Sequence, residues 1–297
     1  MSDNFTPLLT SYDWNAEWQE LQRLRRRKDD SAYWDKRAAT FTTKDAPNRY
    51  VEDFLRLADI KPGETVFDMG CGTGALAVPL GQAGHKVVAA DFSQGMLDAM
   101  QRNLDAAGVK TVFPKCMSWD DDWAAFGVRT GMADVAIASR SIATDDLRDS
   151  LMRLTDVARR RVCITLSTGS SPRVDERILS AVGLSQVLGR DYLYAFNILA
   201  DEGLKPQVDY INSTREDTFA TPEDAYDDFA KMIRDAGSVG ATEAELAAAC
   251  DRLRGWLEEN LEPNPHAGES DRKGVPQGAW HLKQPRIVAW AFIAWEK

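Results

Sequence analysis

Trp14, Trp18, Leu21 and Leu24 recur at helical spacing over residues 12–28, while Arg23 and Arg25 to Lys28 fill other positions, a pattern that predicts an amphipathic helix. A second, short helix is expected to open at Ser31. From residue 64 the rhythm changes. Short β-rich runs at Thr65–Asp68, Lys86–Asp91, Thr111–Cys116, Asp134–Ser139 and Val162–Leu166 alternate with helical stretches. That alternation predicts a parallel sheet with crossover helices. Met96, Met100 and Leu104 line one helix face behind a capping Ser93, and Leu147, Leu151 and Leu154 line another behind Asp146. Five such units make a doubly wound sheet.

Beyond Leu166 the pattern loosens. Ser171-Pro172 reads as a cap and first-turn proline for a helix near 173–188, and a further helix is expected over Tyr192–Ala200. Gln207–Ile211 reads as a sixth strand. Thr221-Pro222 opens a helix ending near Gly237, and Thr242-Glu243-Ala244-Glu245 is a capping box for one reaching about Asn260. A loop at 262–279 precedes the final strand, Arg286–Glu296. The helices between the sixth and last strands are expected to form a lid over the carboxyl edge of the sheet, where ligands of open α/β sheets bind. The chain then divides into an N-terminal helical cover (1–60), a Rossmann-like core (61–170), a lid and substrate region (171–285) and the returning strand (286–297), all within one structural domain.

Composition narrows the function. The 297 residues are 44% hydrophobic and 28% charged, enough for a sizeable core. Against 46 Asp plus Glu stand 36 Lys plus Arg, a net charge of −10 that argues against nucleic acid as a partner. The first thirty residues hold no continuous apolar stretch of the signal-peptide kind. The longest apolar run, Ile287 to Trp295, is shorter than the roughly 20 residues a membrane helix needs, so no membrane partner is expected. Cys71, Cys116, Cys163 and Cys250 lie far apart, signalling neither a disulfide framework nor a metal site. The expected compartment is the reducing cytoplasm.

The strongest local signal is Val66-Phe67-Asp68-Met69-Gly70-Cys71-Gly72-Thr73-Gly74, at the turn from the first strand to its helix. Glycines there let the backbone bend tightly and approach a ligand closely. Asp91 closes the second strand, where a carboxylate accepts hydrogen bonds from both hydroxyls of a ribose. An adenosine-bearing ligand is implied. Gly70-x-Gly72-x-x-Ala75 also satisfies the looser dinucleotide pattern. Asp68, however, would repel a pyrophosphate brought onto this loop, whereas a cationic amino-acid ligand would tolerate it.

With Asp68-Met69-Gly70-Cys71-Gly72-Thr73-Gly74 and Asp91-Phe92-Ser93-Gln94-Gly95-Met96-Leu97, the sequence resembles the class I S-adenosylmethionine-dependent methyltransferases, in particular a type 11-like small-molecule branch. Tyr33-Trp34-Asp35-Lys36-Arg37-Ala38 is similar to the segment that covers the cofactor in many relatives. The resemblance implies a seven-stranded α/β sheet with its last strand antiparallel, N-terminal helices and a helical lid insertion. It further implies S-adenosylmethionine as cofactor, contacted by Asp68, Gly70, Cys71, Gly72, Gly74, Asp91 and Ser139. The usual Gly-Asp pair after the third strand is replaced by Lys115-Cys116-Met117-Ser118-Trp119-Asp120. Ser118 and Trp119 are therefore expected at the adenine, with Phe92 and Met96 as apolar contacts. Arg37 is a candidate partner for the cofactor carboxylate.

Methyl transfer from a sulfonium is an in-line displacement, so few residues are obligatory. Ser139-Arg140-Ser141 ends the fourth strand, where amide and adenine methyltransferases carry N/D-P-P-Y/F and cytosine-ring enzymes Pro-Cys, so those acceptors lose weight. Arg140 at that edge suits a carboxylate or phenolate of the acceptor, its alternative being a surface salt bridge to Asp145 or Asp146. The runs Arg25–Lys28 and Arg159–Arg161 read as solvated helix ends. His281 and His266 are the base candidates, since His85 opens the second strand on the far edge. Tyr192, Tyr194 and Asn197 are candidates for lining the acceptor pocket. The expected function is methyl transfer to an O, N or S atom of a small molecule. Non-catalytic binding of an adenosyl ligand, or nicotinamide-dependent oxidoreduction, are the alternatives.

Overall fold

The computed structural model describes residues 12–25, 30–38, 49–142, 144–169, 171, 174–184, 189–237, 241–271 and 275–297. Three helices open the chain: α1 (Trp14–Arg25), α2 (Ser31–Ala38) and α3 (Arg49–Ala58). The alternating part follows as β1 (Val66–Met69), α4 (Ala77–Gln82), β2 (Val87–Asp91), α5 (Gln94–Ala107), β3 (Val112–Cys116), β4 (Ala133–Ser139), α6 (Leu147–Val157) and β5 (Ala158–Ser167). Next come α7 (Glu176–Ala181), α8 (Asp191–Asp201), β6 (Gln207–Arg215), β7 (Thr218–Phe219), α9 (Pro222–Gly237) and α10 (Glu243–Asn260). The chain closes with β8 (Leu261–Pro263), β9 (Trp280–Leu282) and β10 (Arg286–Glu296).

Seven strands form one sheet in the order β3-β2-β1-β4-β5-β10-β6. The first five run parallel, and β10 returns antiparallel between β5 and β6. The chain steps outward from β1 in one direction and restarts at β4 in the other, so the loops after β1 and β4 face a cleft at the point where strand order reverses. Alternation along the strands sends side chains to two apolar layers. Phe67 and Met69 pack with Trp18 of α1, Leu151 of α6 and Ile198 of α8. Val66 and Ile137 pack with Phe54 of α3, Leu80 of α4 and Met100 of α5. Asp68 and Ser139 keep the parity of Val66 and Ile137, which directs both toward α3.

The expected caps form. Ser93 accepts the Met96 N–H, Asp146 accepts that of Asp149, and Thr242 and Glu245 close a capping box. Four expectations change. The amphipathic helix α3, with Tyr50, Phe54 and Ala58 buried, was not anticipated. The helix expected near 173–188 is α7, capped by Asp175, whose side chain accepts the Arg177 N–H. Ser171 instead bridges Val174, and Pro172 and residues 185–188 lie outside the described residues. Arg159–Arg161 are not a helix end but the start of β5: Arg159 meets Asp134 at 2.8 Å, Arg160 meets Glu64 at 2.6 Å and Arg161 meets Glu296 at 2.5 Å. Arg25 ends α1 against Asp191 at 2.6 Å, and residues 26–28 lie outside the described residues. Finally, the insertion is not purely helical. β7, β9 and β8 form a small antiparallel sheet whose Phe219 and Leu282 pack with Phe229 of α9 and Leu253 of α10 in a third apolar cluster. Among the described residues no helix is long and apolar enough to cross a membrane.

Candidate functional site

The turn after β1 is built on positive-φ glycines, Gly70 at 75°, Gly72 at 54° and Gly74 at 87°, but their reasons differ. A Cβ on Gly70 would overlap Ser141, whose hydroxyl donates to the Met69 carbonyl at 2.7 Å. A Cβ on Gly74 would meet Met100 Cγ at 2.7 Å, so that glycine serves helix packing and faces α5 rather than the cleft. At Gly72 nothing lies within 4 Å. This is the open face of the loop.

Two carboxylates flank it. Asp68 is 2% exposed and its Oδ2 is buried without a hydrogen-bond partner among the described residues. Burial, helped by the neighbouring charge of Asp91, pushes its pKa up to about 7. Asp91 receives the Gly72 N–H on Oδ2 at 2.8 Å and the Ser93 N–H on Oδ1 at 2.9 Å. Burial raises its pKa as well, against the pull of those donors. Each carboxylate oxygen carries two lone pairs, so Asp91 keeps capacity for two further donors. Asp35 of α2 extends the frame: its Oδ1 accepts the Ser93 hydroxyl at 2.6 Å and the Gly95 N–H at 2.9 Å, which depresses its pKa. The cover helix is thereby fastened to the N-terminus of α5, beside Asp91.

Cys71 is a buried thiol whose pKa burial drives well above the ordinary range, so it is an inert loop residue. Met96 is buried on α5, whereas Phe92, 37% exposed, stands at the mouth after β2. Trp119 is engaged elsewhere than expected. Its indole N–H donates to the Ser141 carbonyl at 3.0 Å and its ring lies 5.6 Å from that of Trp123. The Ser118 N–H donates to Asp121 Oδ2 at 2.7 Å, and its carbonyl accepts Trp123 Nε1–H at 3.1 Å. These bonds use the Ser118 backbone and the Trp119 indole N–H, while the Ser118 hydroxyl accepts the Asp120 N–H at 3.2 Å. Arg37, on the exposed face of α2, lies over the rings of Tyr33 and Trp34 at 5.7 and 5.8 Å.

Ser139 points its hydroxyl at Tyr50 (2.7 Å), and the same phenol reaches Thr165 of β5 at 2.7 Å. The Tyr50 ring carries the Arg140 guanidinium 4.1 Å above its centroid. Arg140 makes no ion pair among the described residues, which removes the salt-bridge reading; Asp146 is occupied with the α6 cap and Asn15. His281 lies on β9 of the small sheet, 3.3 Å from Glu262 of the neighbouring β8. His266 pairs with Glu269 at 3.0 Å, and His85 Nδ1 lies 2.8 Å from the Glu64 carbonyl. None of the three joins the glycine loop. Tyr192, Tyr194 and Asn197 lie on α8, a helix of the core layer. Tyr192 packs on Tyr210, Tyr194 donates to Glu17 at 2.7 Å, and Asn197 donates to the Leu193 carbonyl.

Residues 66–160 match the family model described as a methyltransferase domain. An uncharacterized protein of Haemophilus influenzae is 33% identical over 182 residues, 61% of this chain and 66% of that protein. A demethylmenaquinone methyltransferase of Bacillus cereus is 38% identical over 65 residues, 20% of this chain and 27% of that one. The chain thus spans less than two thirds of the length of the curated relatives it matches. The solved structure of the YcgJ protein from Bacillus subtilis shares the fold at a TM-score of 0.50 and 13% identity, over 84% of this chain and 97% of that one. Residues 66–160 are thus similar to a methyltransferase domain, and S-adenosylmethionine is the cofactor that the resemblance of the sequence implies.

The residues present fit that cofactor. An open backbone face at Gly72, spare acceptor capacity on Asp91 and an unpartnered buried carboxyl at Asp68 suit a ribose diol and a cationic amino-acid tail. Asp91→Ala is expected to weaken cofactor binding by about 1.5–3 kcal/mol, read by calorimetry; unchanged affinity would remove Asp91 from the site. Asp68 also makes a pH prediction. Its pKa of about 7 lies above the ordinary 3.8, so the folded state holds the proton more tightly than the unfolded chain. Its contribution is neutral below the unfolded value and turns increasingly destabilising as pH rises toward 7. The ligand-free Asp68→Asn protein should therefore exceed wild type in urea-unfolding stability at about pH 8 by roughly 1–4 kcal/mol and match it near pH 4.

Proposed function

We propose that this chain transfers a methyl group from S-adenosylmethionine to an O, N or S atom of a small-molecule acceptor. The observation that supports it most is the acidic frame around the open Gly72: Asp68, Asp91 and Asp35 are carboxyls whose ionisation a cationic ligand favours and a pyrophosphate opposes. When bound, the cofactor supplies an electrophilic methyl group on a sulfonium. Asp91 would hold the ribose, the open face of Gly72 would admit the ligand close to the backbone, and Asp68 would release its proton to solvent and face the ammonium of the tail. The hydroxyls of Ser139, Tyr50 and Thr165 then lie on the α3 side of the same sheet edge.

Because no histidine joins the loop, the acceptor atom is one that attacks without strong general-base help or loses its proton after transfer. The same observation favours, as a second reading, a protein that binds the adenosyl ligand without turnover. Four free cysteines support a reducing compartment, the cytoplasm. The test is incubation with S-adenosylmethionine and a small-molecule cell extract, with S-adenosylhomocysteine release as the readout. Release that requires the extract and is lost in Asp91→Ala supports methyl transfer; tight binding with no release under any extract supports the second reading.

A further inference from the structure

We propose that the acceptor carries a carboxylate, held by the outward edge of the Arg140 guanidinium beside the β4 and β5 tips. This rests on the reading that the acceptor enters next to Gly72. Arg140 directly follows β4 and adopts φ 56°, a left-handed conformation that costs a side-chain-bearing residue energy and persists only where its surroundings impose it. They do so here. The Arg140 N–H donates to Thr165 Oγ1 at 3.0 Å, and the next residue, Ser141, is tied to the Met69 carbonyl at the start of the glycine loop. The backbone is thereby turned so that the side chain lies across the sheet edge.

There the guanidinium sits 4.1 Å from the centroid of Tyr50 and 5.8 Å from that of Trp290. Tyr50 cannot swing away, because its hydroxyl is fixed by Ser139 and Thr165 at 2.7 Å each. Stacking uses the flat face of the guanidinium and leaves its N–H edge, whose donors match a carboxylate two at a time. Among the described residues that edge meets no carboxylate of the protein, although the chain carries 46 of them. A single guanidinium neutralises a monoanion but not a phosphate dianion. The rings of Tyr50 and Trp290 add apolar walls, so the ligand pairs its carboxylate with an apolar or aromatic body.

The test is calorimetric titration of the full chain saturated with S-adenosylhomocysteine, using benzoate, the isosteric neutral benzamide, and phenyl phosphate. Wild type should bind benzoate at least tenfold more tightly than benzamide and more tightly than phenyl phosphate. Arg140→Gln should lose that preference, and Arg140→Lys should lose most of it, because the point charge lacks the planar fork. Absence of benzoate binding, equal affinity for benzamide, preference for phenyl phosphate, or an unchanged preference in Arg140→Gln would each overturn the proposal. If S-adenosylhomocysteine itself fails to bind, the fault lies with the underlying reading of the cofactor site, and the titration before addition of benzoate shows it.

Discussion

Gly72→Val is expected to fold and to lose measurable cofactor binding. With nothing within 4 Å of its missing Cβ, the first side-chain carbon of the valine has room in the ligand-free protein. At φ 54° it costs about 1–2 kcal/mol of backbone strain, well inside the stability of a domain this size. In the bound state the branched side chain would fill the space against which the ligand lies. Gly74→Ala provides the contrast. Its Cβ would press on Met100, so the variant should lose stability while any folded fraction still binds. Circular dichroism and calorimetry on both variants check the pair. Cofactor binding by Gly72→Val would show that the ligand does not lie on this face.

Asp217→Ala is expected to cost about 3–5 kcal/mol of folding stability. Arg286, at the start of β10 and 4% exposed, lies 3.2 Å from Asp217, which also accepts from Arg215 at 2.6 Å. Burial drags the Arg286 pKa down, and the Asp217 charge opposes that pull. Arg286 also donates to the Ser171 carbonyl at 3.2 Å, so this pair joins β10 to the segment leading into α7. Removing the carboxylate leaves a buried cation short of its partner. Urea unfolding should show the loss, and Asp217→Leu combined with Arg286→Met should recover most of it, because an apolar pair has no charge to desolvate.

The sheet was legible because its strands are long and apolar enough to show a period of their own, and the final strand, Arg286–Glu296, was read to its limits. Caps at Ser93, Asp146 and Thr242 were legible because capping is a local bond between residues three apart. β7, β8 and β9 escaped because two or three residues cannot display alternation. The Arg159–Arg161 run misled because its carboxylate partners lie on other elements, and only the fold reveals that a charged run continues a strand. α3 carried its signal in Tyr50, Phe54 and Ala58, spaced by four along one face. In the site, Asp68, Gly72 and Asp91 were visible in two short motifs. Tyr50 and Trp290, which set the direction of Arg140, come from elements remote in sequence and bear no motif. His281 was chosen for its chemistry alone, and the small sheet engages it with Glu262.

The acidic, glycine-lined cleft after β1 is expected to take an adenosyl ligand with a cationic amino-acid tail. Calorimetric titration of the wild-type chain with S-adenosylhomocysteine and, separately, with NAD tests it most directly. Near pH 7 the former should bind at one per chain and release protons, as Asp68 ionises against the ligand ammonium, with heats that depend on the buffer's ionisation enthalpy. NAD should produce no saturable heat. Saturable binding of NAD with none of S-adenosylhomocysteine would mean that the cleft is built for a dinucleotide instead.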